Sequence, residues 1–382
     1  MRIIIAGDIC PQNRIADLFE NDDFGTVLGN VKKIISNSDF SVVNLECPIL
    51  EGEGVPIDKS GPSLKCSQKS INAIQWSGFD GVTLANNHFL DYGEEGVAET
   101  MMACQENGID VVGGGKTLAE ASKTLYKQVN GDTLAIINCC EHEYSIATDA
   151  SAGSNPLNPV QQYYAIKEAR DKADYVIVIV HGGHEHYNLP SPRMVETYRF
   201  FVDAGADTVI NHHQHCYSGY EVYKGNPIFY GLGNFCFDKL YNAMPLGWYE
   251  GYLVELTLEK KKGVEYKLVP YTQCKDKPTL DLMEGVQYAQ FFESIKHLNS
   301  IIADPVQLKK KHEEWMEKNG SCFEHQFLPY GNRWLISAYI RHLFPSFLSR
   351  TKLLNLQNHL ECESHRERSL FALSKLVKKH NK

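Results

Sequence analysis

A chain of 382 residues, 43% hydrophobic and 22% charged, has the composition of a globular protein large enough for one big α/β domain with an appendage. The net charge of -9 argues against nucleic acid as the main partner, because neutralising phosphates needs a broad basic surface. No run of about 18 apolar residues occurs, so no membrane-spanning helix is expected.

In chain order, Arg2–Ala6 is an apolar run of strand length that exits through Gly7 to Asp8, a carboxylate suited to a ligand or a helix N-cap. The pattern predicts a helix over Val27–Asn37 and a strand over Ser41–Leu45, with Glu46 just past its end and Pro48 stiffening the backbone. A helix over Gln68–Trp76, stopped by Gly78, leads to the strand Gly81–Leu84 and to Asn86, Asn87 and His88, with Asp91 near enough to orient His88. The helix Glu94–Asn107 ends at Gly108 before the strand Asp110–Val112. Gly113-Gly-Gly-Lys116-Thr117 imitates the end of a phosphate-binding loop, but Asp110 stands where that loop needs glycine, so no nucleotide is assigned.

Leu134–Asn138 is the next strand, and Val160–Ala173 the next helix. Tyr175–Val180 is apolar on both faces and reads as a central strand running into His181-Gly182-Gly183. Beyond it, Glu185 is the acid/base candidate, and His184 and His186 are expected to be exposed. The helix Met194–Ala204 and the strand Thr208–Ile210 bring the chain to His212, His213, Gln214 and His215. Three histidines in four residues seldom serve core packing, and the extended spacing of His213 and His215 can aim one ring at each of two metals or both at one. After the strand Ile228–Tyr230, Gly231–Phe237 reads as a packed turn supporting the cleft, with Asn234 given no direct catalytic role.

Gly251–Leu258 and Glu265–Pro270 alternate as an antiparallel hairpin, and from about Leu280 the pattern turns helical. Helices are expected over Gln287–Ile302, Pro305–Lys318, Trp334–Phe344 and Ser364–His380. The expected organisation is an α/β domain over 1–275 and a helical appendage over 276–382. The basic residues near the end, Arg366, Arg368, Lys375, Lys378, Lys379 and Lys382, read as a solvated helix face. Eleven cysteines without a Cys-x-x-Cys pair, and a first strand starting at residue 2, point to a reducing compartment and no signal peptide, hence the cytoplasm.

Nearly every residue able to bind a metal or move a proton follows a strand, where α/β folds assemble sites from distant stretches of chain. Mixed carboxylate, amide and imidazole groups suit a divalent cation (manganese, iron or zinc) used for hydrolysis. Thiol catalysis has no preferred candidate among the scattered cysteines.

The ordered motifs Asn44-Leu-Glu46, Ala85-Asn-Asn-His88 with Asp91-Tyr-Gly93, His181-Gly-Gly with Glu185-His-Tyr187, Ala204-Gly-Ala-Asp207 and Tyr230-Gly-Leu-Gly-Asn-Phe235 resemble the CapA family. These are poly-gamma-glutamate capsule-synthesis proteins related to calcineurin-like metallophosphatases, and the likeness runs from Ile3 to about Leu258. It implies a four-layer α/β/β/α sandwich with one or two metal ions held by Asp8, Glu46, Asn87, His181, His213 and His215, and His88 as the catalytic histidine. Cys10 stands where metallophosphatases carry the histidine of Asp-x-His, and Asn211 and Gln214 stand where family members often carry Gly and Pro. The implied activity is hydrolysis of a phosphoester or amide bond, with an anionic polymer or its precursor and other capsule-synthesis proteins as partners. A non-catalytic polymer-binding or assembly subunit is the alternative.

Overall fold

The computed structural model describes residues 1–239, 244–260, 263–319, 341, 343 and 349–380. In the larger sheet, β1 (Arg2–Ile9) pairs in parallel with β2 (Phe40–Leu45), and the order continues through β3 (Gly81–Thr83) to β4 (Asp110–Val112). On its other side β1 runs antiparallel to β14 (Glu250–Glu259), followed by β15 (Gly263–Gln273) and the edge strand β16 (Leu280–Leu282). A short strand, β13 (Asn234–Cys236), pairs in parallel with the end of β1.

The second sheet has the order β11 (Tyr220–Tyr223), β12 (Asn226–Phe229), β10 (Thr208–His212), β9 (Tyr175–His181), β7 (Asp132–Cys140) and β6 (Leu125–Val129). Its four inner strands are parallel and its two edges antiparallel. A small ladder joins β5 (Gly114–Gly115) to β8 (Gly153–Ser154).

Strand alternation explains the layering. Ile3, Ile5 and Val42 of the first sheet meet Ile136, Ile177, Ile179 and Ile210 of the second in one apolar interior. The opposite faces of the same strands bury against helices. Ile4, Ala6 and Val43 pack on α2 (Phe24–Ser36), α3 (Gln68–Ser77) and α4 (Gly93–Glu106), with α1 (Arg14–Glu20) beside them. After the short α5 (Leu118–Ala121), α6 (Pro159–Lys172) and α7 (Pro192–Ala204) cover Val176, Val178 and Val180. Both begin on a capped proline: Asn158 accepts from the Val160 and Gln161 amides, and Ser191 from the Met194 amide. The chain is therefore an α/β protein of two sheets between two helical layers.

Residues past 275 share this interior. Leu280–Leu282 forms β16 rather than the start of a helix, because its backbone pairs with Tyr271–Gln273 and Leu280 is buried. The helix begins at α8 (Gly285–Ile302), which gives Phe291 and Ile295 to the inter-sheet layer and Leu298, Ile301 and Ile302 to the outer one. α9 (Pro305–Asn319), α10 (Arg350–Glu361) and α11 (Glu363–His380) follow. The helix expected over 334–344 lies largely outside the described residues. Among those described, no helix is long and apolar enough to cross a membrane, and the ten cysteines are free and buried.

Candidate metal centre

Parallel strands of both sheets end at the same place, so their carboxyl-terminal residues meet. Asp8 is near the end of β1, and Glu46 follows β2 directly. Asn87 lies in the loop beyond β3, His181 ends β9, and His213 and His215 lie just past β10. The exit of β1 is tight: a side chain at residue 7 would run into the Gly233 carbonyl, so glycine is required for β13 to lie against Asp8.

The Glu46 carboxylate is the hub. His181 Nε2 lies 3.4 Å and His215 Nε2 3.7 Å from its Oε1. His181 Nε2 also faces Asn87 Oδ1 at 3.0 Å and His213 Nδ1 at 3.1 Å. Asp8 sits 3.9 Å from both His181 Nδ1 and His215 Nδ1. Ligand atoms of Glu46, His181 and His213, and again of Asp8, Glu46 and His215, lie within 4.8 Å of one another. The structure thus brings together all six residues expected as ligands. His213 (φ 90°) and His215 (φ 54°) both occupy the left-handed backbone region, a strain of order 1–3 kcal/mol each that a functional site can sustain.

Electrostatics argues for a cation here. Both Glu46 oxygens are buried without a hydrogen-bond partner, a costly condition for a carboxylate. Burial, then the neighbouring Asp8, pushes the Glu46 carboxyl well above the usual range. Burial lifts Asp8 to about 6, against the Asn44 and His213 hydrogen bonds that oppose the shift. Burial also holds His215 down to about 3 and His181 well below 6.5, so these rings offer lone pairs. Unpartnered carboxylate oxygens and neutral imidazoles fit a divalent transition metal.

Beside this cluster, the Asp91 carboxylate accepts from His88 Nδ1 at 2.7 Å and from the Leu64 amide at 2.7 Å. Lys59 pairs with Asp91 as well and lies 3.1 Å from His88 Nδ1. The His88–Asp91 contact expected from their spacing is thus formed, and Lys59 completes it. Glu185 sits on an exposed part of the loop after β9.

Several further side chains support the ligands, Asn234 from the turn expected to back the cleft. Asn44 Nδ2 donates to Asp8 Oδ1 at 2.7 Å, and Asn234 Oδ1 accepts from His215 Nδ1 at 2.9 Å, holding a ring in place. The Asn44-Leu-Glu46 motif already contained the first; the second belonged to a segment read as a turn. Lys59 lay in a polar loop with no pattern to single it out. His184, expected to be exposed, is instead 1% exposed, because Trp315 of α9 stacks on its ring at 4.7 Å.

Residues 2–239 match the family model described as bacterial capsule synthesis protein PGA_cap. The chain is 33% identical over 247 residues to the capsule biosynthesis protein CapA of Bacillus anthracis, covering 63% of this chain and 60% of that one. It is 30% identical over 270 residues to the PGA biosynthesis protein CapA of Bacillus subtilis, covering 69% of each. It therefore spans about three fifths of the length of the first of these relatives. Among solved structures, a 5'-nucleotidase precursor from Thermus thermophilus aligns with a TM-score of 0.41 at 12% identity, covering 79% of this chain and 59% of that one.

Proposed function

This chain belongs to the PGA_cap family of bacterial capsule synthesis proteins, and from that premise we propose that it is a divalent-metal-dependent hydrolase. It would cleave a phosphoester or amide bond while an anionic capsule polymer is made. The observation that carries the reading is the buried Glu46 carboxylate, both of its oxygens unpartnered, facing His181 and His215. Asp8, Glu46, Asn87, His181, His213 and His215 would hold one or two ions of manganese, iron or zinc. When bound, such an ion supplies Lewis-acid polarisation and an ionised water near neutral pH.

The protein's own groups do the rest. His88, tied at Nδ1 to Asp91, keeps Nε2 for giving a proton to the leaving oxygen or nitrogen. Asp91 fixes the ring's orientation, and Lys59 steadies the carboxylate. Glu185, on the loop after β9, is the further acid/base candidate. The relatives are named for capsule and PGA biosynthesis; partners here would be polymer precursors and other synthesis proteins. Ten buried free thiols favour a reducing compartment, the cytoplasm.

A second reading, a non-catalytic polymer-binding or assembly subunit, is favoured by how little of the centre meets solvent: Asn87 and His88 are each 8% exposed. A panel of phosphodiester and peptide substrates with added manganese or zinc separates the two. The hydrolase reading predicts metal-stimulated turnover that His213→Ala abolishes. Polymer binding without turnover in the wild type would instead establish the subunit.

A further inference from the structure

A second convergence of metal-type ligands lies outside the strand-end centre, assembled from three distant segments. His184 comes from the loop after β9, His312 from α9 and Glu367 from α11. His184 Nε2 is 3.3 Å from His312 Nε2 and 3.5 Å from Glu367 Oε2, and His312 Nε2 is 3.8 Å from the same oxygen. Ligands held tetrahedrally at about 2.0–2.1 Å are separated by roughly 3.3–3.4 Å, so these three atoms already mark one face of a tetrahedron.

The two ring nitrogens face each other, and the carboxylate beside them keeps one oxygen unmet. Arg193 takes the other oxygen of Glu367, and Oε2 is buried without a hydrogen-bond partner. Arg193 is itself paired with Glu141, so its charge is already matched. Burial holds both imidazoles in the neutral form, His312 down to about 4, and neutral rings present lone pairs. Trp315 stacks on His184 and packs against Tyr187, walling the cluster with aromatic surface. A hydrogen bond between the two rings would satisfy one nitrogen of each and leave Glu367 Oε2 unmet. A cation satisfies all three at once.

We propose that His184, His312 and Glu367 bind a zinc-class divalent cation, with the fourth position open to water, and that this ion fastens α9 and α11 to the loop following His181. Two imidazoles and a carboxylate are a donor set that zinc accepts. The inference stands independently of the hydrolase reading, since none of its ligands belongs to the strand-end centre.

The test is zinc stoichiometry, by elemental analysis of chelator-stripped full-length protein re-exposed to micromolar zinc and desalted. In Glu46→Gln, which disables the strand-end centre, about one equivalent is expected to remain. It should vanish in Glu46→Gln/His312→Ala, and zinc should raise the melting temperature of the first protein but not of the second. Cobalt(II) should give a visible absorption band that requires His312. If the double variant fails to fold, the isosteric Glu46→Gln/Glu367→Gln provides the same comparison. Zinc-free Glu46→Gln, or an equivalent retained after His312 or Glu367 is replaced, would overturn the assignment.

Discussion

Glu46 and Glu141 are both buried carboxylates at the strand ends, yet their surroundings are opposite. Glu141 bonds to Arg193 and to Ser364 of α11. Arg193 and the Ser364 hydroxyl, working against burial, hold its carboxyl below the ordinary range. Glu46 has Asp8 for a neighbour and neither oxygen hydrogen-bonded, and its carboxyl is driven far above that range. One region closes on itself with charge matched from within, whereas the other leaves both oxygens of a buried carboxylate without a partner. The matched cluster docks the last helix through Ser364 and Glu367, and the unmatched one is where a divalent cation is proposed to bind.

The sharpest way to break this comparison is to neutralise each carboxylate. Glu141→Ala leaves Arg193 largely buried with less counter-charge, and the metal-free protein should lose about 3 kcal/mol in urea unfolding. Glu46→Gln replaces a carboxyl whose charged form burial and Asp8 already disfavour, and should leave metal-free stability unchanged or raised by up to about 1 kcal/mol in the same assay. Destabilisation by both would erase the distinction. Next in size, Asn234→Ala frees the His215 ring and should weaken metal binding roughly 10- to 100-fold, read by calorimetric titration. An unchanged affinity would mean that Asn234 only packs.

The smallest effect concerns pH at the seam between the C-terminal helices and the body. Burial, then Arg368, holds His359 at about 4, below the 6.5 of an unfolded histidine. The unfolded chain therefore takes up the proton first, so stability falls as pH drops from about 6.5 towards 4. Between pH 7 and 6 the loss is roughly 0.7 kcal/mol. His142 acts in the opposite sense: Glu363 raises it, so that pair contributes most below 6.5 and is lost as pH rises through the raised value. His359→Gln should flatten the acid side of the profile, followed by hydrogen exchange of α10 and α11. A profile unchanged by the substitution would mean that His359 does not set the acid dependence.

The sequence made much of this legible where the physics is local. Continuous apolar runs such as Tyr175–Val180 marked inner parallel strands, and the carboxylates and histidines just beyond them marked where those strands end. Edge strands β6 and β11 were missed because their residues are half exposed and lack a clean apolar run. β13 and β16 were missed because Asn234–Cys236 lies in a glycine-flanked segment that reads as a turn and Leu280–Leu282 runs into a helical pattern. The burial of His184 depends on His312 and Trp315, more than a hundred residues downstream. No spacing within the His181–Tyr187 loop carries that information. The same holds for Lys59, which reaches Asp91 across a loop of plain polar composition.

If the strand-end cluster is a metal centre organised by Glu46, replacing that carboxylate must empty it. The decisive experiment is elemental analysis of wild-type protein and Glu46→Gln, purified side by side without chelator. One or two more equivalents of manganese, iron or zinc are expected in the wild type than in the variant. Equal metal content in two folded proteins would contradict the metal assignment.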